Sequence, residues 1–215
     1  MSRLRELRVW TAIAIVTIGG VTIFAAGELF AFGLADVSAE ATNAARRLAP
    51  FVEDSMVGAM AEARLLELDA GASDRERRER LGRLLSRIPL SGAAWFALAQ
   101  ARFDTDEPME KVESALAMSS LVAPNEGWLM GRRAAFAIPL WPQLTVAARR
   151  NLVADLVGGW EGTPGLERDA LISIVYLSPS ETKEEARAAL LLFGAAGEQV
   201  AAELGLAPSP TGPRR

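Results

Sequence analysis

One short stretch holds the residues whose types could do chemistry. Asp104, Asp106 and Glu107 form a carboxylate cluster of the sort that binds a cation or passes a proton, and Lys111 with Ser114 could pair a serine nucleophile with a lysine base. Each has a plainer role. The acids fall in a turn between two helical stretches, where aspartates cap helices and form turns, and Pro108 suits the first turn of the helix that follows. Lys111 and Ser114 would face solvent or a neighbouring helix. Across its 215 residues the chain has no histidine and no cysteine. That removes the commonest general base and metal ligand, thiol nucleophiles, disulfides, cysteine–zinc sites, covalent haem attachment and lipoprotein-type acylation. No phosphate-binding loop, dinucleotide fingerprint, nucleophile elbow or metal-spaced carboxylate set is present. The expectation is a protein that is not an enzyme and carries no cofactor or metal. A net charge of −4 makes nucleic acid an unfitting partner.

Whatever the protein does, an apolar run near its N-terminus must position it. Arg3, Arg5 and Arg8 precede the run, opposed only by Glu6, and Val9 to Gly27 then holds no charge before apolar residues continue past Glu28 to Leu34. About 20 residues cross a hydrocarbon core of about 30 Å, so 9–34 reads as a single transmembrane anchor. Basic residues before it, and Asp36 and Glu40 after it, predict that 1–8 stays in the cytoplasm while the body of the chain is exported. Val37-Ser38-Ala39 has the small residues a signal peptidase accepts, but the run far exceeds a signal peptide's apolar region of about 7–15 residues. The expected location is therefore a bacterial inner membrane, with a periplasmic domain. A bacterial source fits the abundance of arginine and alanine beside only two lysines, Lys111 and Lys183. Ala12, Gly19, Ala26 and Gly33 recur every seven residues, with Gly20 and Gly27 beside them, a stripe where another helix backbone could approach closely.

Residues 35–73 read as a helical stalk or first hairpin interrupted by Pro50, with Val57, Met60, Leu65, Leu66 and Leu68 as its apolar side. Ser73 or Asp74 caps the next helix. That helix is rich in arginine from Arg75 to Arg87 and turns Leu81, Leu84, Leu85 and Ile88 inward. Glu76–Arg80 and Glu79–Arg83 support it at i,i+4, each by about 0.2–0.5 kcal/mol.

A repeat follows. Pro89 and Pro124 each end a helix, 35 residues apart, and Trp95 and Trp128 each open the next, 33 apart. Trp95, Leu98 and Ala99 stand in the pattern Trp-x-x-Leu-small, Leu116 and Ser119 follow at a large and a small position, and Pro124-Asn125 closes the unit. In these residues 74–158 resemble the tetratricopeptide repeat family, whose period is about 34 residues. Arg102 stands where that family has tyrosine, and Gly131 where it has leucine. The resemblance implies an all-α domain of stacked helical hairpins that binds protein through its concave face. Small Ala99, Ala115 and Ser119 would let helices approach while Trp95, Leu98 and Leu116 fill the gap between them.

Thr145 caps a helix to Val157, another reaches about Tyr176, and Glu181 to Leu204 reads as one long final helix. Residues 159–206 would then cap the array, with eight acids against three bases, and 207–215 is a proline-rich tail expected to be disordered. Arg102, Arg132, Arg133, Arg149 and Arg150 are the expected charged contacts. Trp141, in a proline-bounded loop, is the expected exposed aromatic. Ala12, Gly19, Gly20, Ala26 and Gly27 are the expected membrane packing face. The functional expectation is a membrane-anchored scaffold in bacterial envelope assembly, with polysaccharide or envelope biogenesis foremost, whose exported domain holds another inner-membrane or periplasmic protein. The alternative is an accessory subunit of a larger membrane enzyme or transporter, docked through its transmembrane helix to a partner or to its own copy.

Overall fold

The computed structural model describes residues 2–40, 42–68 and 71–206, and of the side chains before Ile13 it places only Trp10. The side chain of Ala12, the basic side chains of 1–8 and the tail 207–215 therefore lie outside what is described. Among those described there are eleven α-helices and no strand, so the protein is all-α. Two compact units, Met1–Arg80 and Leu81–Arg215, divide within the fourth helix.

The first unit is organised on α1 (Ser2–Val37). Ile13–Val37 is long and apolar enough to cross a membrane, with a mean hydropathy of 2.0. Thr17 and Thr22 donate their hydroxyls to the carbonyls of Ile13 and Ile18, at 2.9 and 2.8 Å, so neither leaves a polar group unsatisfied on this apolar surface. The last turns of α1 behave differently. Phe32 is 6% exposed and packs edge-on against Phe51, with ring centroids 5.8 Å apart. Around it gather Leu48 of α2 (Ala44–Leu48) and Val57, Ala61 and Leu65 at and within α3 (Gly58–Leu68). Pro50 sits in a 3-10 turn, Ala49–Phe51, which interrupts the helical stretch as expected. Arg64 of α3 donates to Asp36 at 2.8 Å. Met60, expected on the apolar side of α3, is exposed. The helix that follows, α4 (Asp74–Arg87), starts on a capping box. Ser73 Oγ accepts from the Glu76 N–H at 3.3 Å and Glu76 Oε2 accepts from the Ser73 N–H at 3.0 Å.

In the second unit the helices come as antiparallel pairs. α5 (Gly92–Asp104) packs on α6 (Met109–Val122), and α7 (Gly127–Ala137) on α8 (Val146–Gly159). Ser91 and Thr145 cap α5 and α8 through side-chain oxygens that accept from Ala94 and Ala148 N–H. Ala99, Ala115 and Ser119 are fully buried, as close helix packing requires. Between pairs, α5 neighbours α7 and α6 neighbours α8. α9 (Gly165–Leu177) lies beside α7, and α10 (Ser180–Leu191) and α11 (Gly194–Glu203) lie beside α8. One apolar core, including Leu152, Leu156, Leu171, Leu190 and Val200, joins these last helices to the second pair.

Three local expectations need correction. Glu181–Leu204 is two helices: Gly194 takes φ +63°, which an L side chain rarely adopts, and α11 folds back on α10. Trp95 is only half-buried, its indole N–H donating to the Pro89 carbonyl at 2.8 Å, because the Ser91 cap turns Phe96 rather than Trp95 toward Ala123 and Leu129. Leu116, too, is half-buried.

The return of α11 depends on a missing side chain. A Cβ at Gly197 would collide with the Leu190 carbonyl, whereas one at Gly82, on the exposed side of α4, would meet nothing. Gly197→Ala should therefore lower stability by about 1–3 kcal/mol, while Gly82→Ala should raise it by about 0.5–1 kcal/mol. Thermal melting of the detergent-solubilised chain reads both signs, and a neutral Gly197→Ala would contradict the packing described.

Candidate functional site

Leu129, Arg133 and Ala137 follow at i,i+4 along α7, and all three are buried. Arg133 thus sits inside an apolar stripe. Across from it Asp155 lies between Leu152 and Leu156 on the buried side of α8. The two meet in a fork: Arg133 Nε donates to Asp155 Oδ2 and Nη2 to Oδ1, each at 2.7 Å, with only 2% of the arginine and 9% of the aspartate side chain exposed. Arg133 also reaches the carbonyls of Ser119 and Ala123 and the Ser119 hydroxyl at 3.3–3.5 Å. Ser119 Oγ in turn donates to the Gly92 carbonyl at 2.8 Å. One polar network therefore joins α5, α6, α7 and α8. Burial pushes the Asp155 carboxyl above its ordinary range, against the opposing pull of hydrogen bonds and charge from Arg133 and a weaker bond from Ser120. Arg133, expected as a surface contact, is a structural clamp.

Two further expected contacts are also tied up inside the domain. Arg102 donates to the Lys111 carbonyl at 2.7 Å and pairs with Glu107 at 3.7 Å, which Lys111 approaches at 3.5 Å. With Asp106 at φ +53°, this arrangement closes the α5–α6 turn, while α6 starts on Pro108 without a side-chain cap, so the acids form the turn but do not cap the helix. Among the described residues, no three carboxylates come together as a metal site would require. Arg149 bonds to Glu185 at 2.6 Å and to the Trp141 carbonyl at 3.0 Å, and lies 5.4 Å from the Trp141 ring centre. Trp141 is 3% exposed, its indole N–H donating to Glu185 at 2.7 Å, which overturns its reading as an exposed aromatic. The prolines around it build a 3-10 turn, Ile138–Gln143, that folds the ring inward.

Arg150 and Arg132 remain at the surface. Arg150 is exposed on α8. Arg132 stands in a groove formed by α5, α7 and α9, with an open volume of about 420 Å³. Phe96 and Phe136 make its apolar side, edge to face at 5.9 Å, and Phe103 meets Phe136 the same way at 5.7 Å. Gln100 is exposed on α5. Arg132 Nε approaches Glu167 Oε1 of α9 at 3.4 Å, and its guanidinium lies 5.5 Å from the ring centre of Trp128, which is 44% exposed. Aromatic surface beside one cation, one anion and an amide offers a ligand both apolar contact and hydrogen-bonding groups. Of its residues the sequence reading named only Arg132 as a contact. The signal for the rest was the i, i+4 spacing of Phe96 with Gln100 and of Arg132 with Phe136, which puts each pair on one helix face, with Phe103 and Trp128 beside the groove on the same faces.

On α1, a Cβ at Gly19, Gly20 or Gly27 would meet no atom within 4 Å, and Ala26 is exposed. Compared with family models, curated proteins and solved structures, the chain matches none.

The clamp makes a quantitative prediction. Arg133→Met leaves Asp155 buried beside an apolar group, and Asp155→Leu strands Arg133, so each should cost about 3–5 kcal/mol. The double variant should recover most of that loss, because a well-packed apolar pair of similar volume replaces the ion pair. An acid whose pKa rises on folding takes up protons as the chain folds. The wild type should therefore lose this one contribution as pH climbs from the ordinary carboxylate range through the raised value, and the double variant should lack that slope. Denaturant melts across pH measure both effects, and strictly additive single losses would contradict the clamp.

Proposed function

We propose that this protein is a membrane-tethered docking scaffold: α1 spans the membrane, and the helical domain holds a segment of another protein in the groove of α5, α7 and α9. The observation that carries this reading is the groove itself, an aromatic wall with Arg132, Glu167 and Gln100 at its edge and no nucleophile–base pair within it. The paired helices and their near-34-residue offset support kinship with tetratricopeptide-type arrays, which bind protein through the face of their first helices. Here those helices are α5 and α7.

The register of α1 supports the tether. Large apolar side chains are exposed from Ile13 to Phe30, and Phe32 and Asp36 are engaged by α2, α3 and the turn between them. Eighteen residues of helix measure about 27 Å, close to a hydrocarbon core. Trp10 and Glu28 would lie toward its two borders, where an indole and a carboxylate are cheap to place. With Arg3, Arg5 and Arg8 before the span, the domain lies outside the cytoplasm of a bacterial cell, at the inner membrane, and envelope or polysaccharide assembly is the process this layout fits. A second reading, an accessory subunit of a larger membrane complex, draws on the open faces of Gly19, Gly20 and Gly27, which no atom of the described residues approaches within 4 Å.

Two measurements divide these readings. A reporter active only outside the cytoplasm, fused after Arg215, should be active; a silent fusion beside a working cytoplasmic reporter would reverse the topology. In mild detergent, Arg132→Glu with Gln100→Lys should remove the co-purifying partner, whereas leucine at Gly19, Gly20 and Gly27 should leave it bound. The opposite pattern favours the membrane-subunit reading, and indifference to both sets of changes removes both.

A further inference from the structure

The helices that do not form this groove leave one of their own. α6 and α8, the second members of successive pairs, lie side by side with a furrow between them. Two adjoining hollows of about 270 and 320 Å³ share Ala117, Ser120, Asn151 and Asp155 and so form one channel. Ser114, Ala117 and Ser120 border it along α6, and Ala148, Asn151 and Ala154 along α8. Each set advances by three residues, and Leu116 and Leu152 line the space between them. From Glu110 to Leu121 the channel follows about 16 Å of helix.

Its walls restrict what can lie in it. Both are helices whose backbone groups bond within themselves, so an extended peptide would find no ladder there and would leave its own N–H and C=O groups unpaired. A helix brings its backbone already satisfied, and two facing rows of small residues admit its ridges. The channel is also polarised. At one end stand Glu110, which is exposed with no ion pair among the described residues, and Glu113, which accepts from the Thr145 N–H and hydroxyl at 2.6 and 2.8 Å. At the other are Leu121, 72% exposed, with Pro124 and Met130. We infer that the α6–α8 furrow is a second protein-docking site, which takes about three turns of an amphipathic helix from a partner protein. The helix lays apolar residues over Leu121 and Pro124 and points a lysine or arginine at Glu110 and Glu113.

A displayed library of 14-residue helices, randomised on one face and selected on the full chain in lipid nanodiscs, tests this. The expected winners carry Lys or Arg at one end and apolar residues at i, i+3 or i+4, and i+7. Their affinity should fall at least tenfold on Ala117→Trp, which fills the channel from an exposed position, and about fivefold on Glu110→Lys. It should be unchanged by Glu198→Lys, at an exposed site on α11. Should Ala117→Trp melt early, Asn151→Trp blocks the same channel. Winners without the basic end, winners indifferent to both tryptophan variants, or a selection that yields none would each overturn the assignment.

Discussion

A guanidinium and a carboxylate removed from water set the terms for the helical domain. Desolvating Arg133 and Asp155 costs several kcal/mol for each ion, and their fork of two 2.7 Å bonds offsets this only if the remaining donors also find acceptors. The carbonyls of Ser119 and Ala123 and the Ser119 hydroxyl lie around the guanidinium, and Ser119 in turn needs the Gly92 carbonyl. Such close approach leaves no room for larger side chains. A Cβ at Gly92 would strike Ala123, and Ser119 is fully buried. The first helix pair is thereby held to the second in one register, and the spacing of α5 from α7 and of α6 from α8 follows from it.

The remaining aromatics and arginines secure the later helices by a repeated device. Trp141 and Trp160 each donate an indole N–H to a carboxylate at 2.7 Å, Glu185 of α10 and Glu203 of α11, and each has an arginine over its face, Arg149 and Arg168. Hydrogen bonds from Gln199 and from Trp160 hold the Glu203 carboxyl below the usual carboxylate range. Trp128 with Arg132 shows the same stacking, but its ring is 44% exposed and its arginine turns to Glu167. The element that closes the fold elsewhere stands open here, at the edge of the α5–α7–α9 groove.

How much could be read from the sequence depended on the range of the interaction. The apolar length of α1, the caps at Ser73 and Thr145 and the turn at Pro124 are local, and they stand where periodicity and cap chemistry put them. Arg102, Arg133 and Arg149 were misjudged because charge alone says surface. Arg133 and Asp155 carry a usable signal all the same, since Arg133 lies four residues from both Leu129 and Ala137 and Asp155 lies between Leu152 and Leu156, where an unpaired ion would not be tolerated. Trp141 was misjudged for want of its partners, which lie 8 and 44 residues further along the chain. The break at Gly194 was visible as glycine, but its left-handed φ follows from the fold-back of α11 onto α10. The α5–α7–α9 groove escaped because it belongs to three helices at once, although the faces of two of them can be written down from spacing alone.

In the proposed arrangement the membrane helix fixes where the domain acts and the clamp fixes the shape it presents. The most direct test of that account places a photo-crosslinking amino acid at Gln100, inside the groove, and another at exposed Glu198 on α11, in otherwise unaltered cells. The account predicts one discrete adduct from position 100, absent from position 198 and abolished by Arg132→Glu. No adduct from position 100, or the same adducts from both positions, would contradict it.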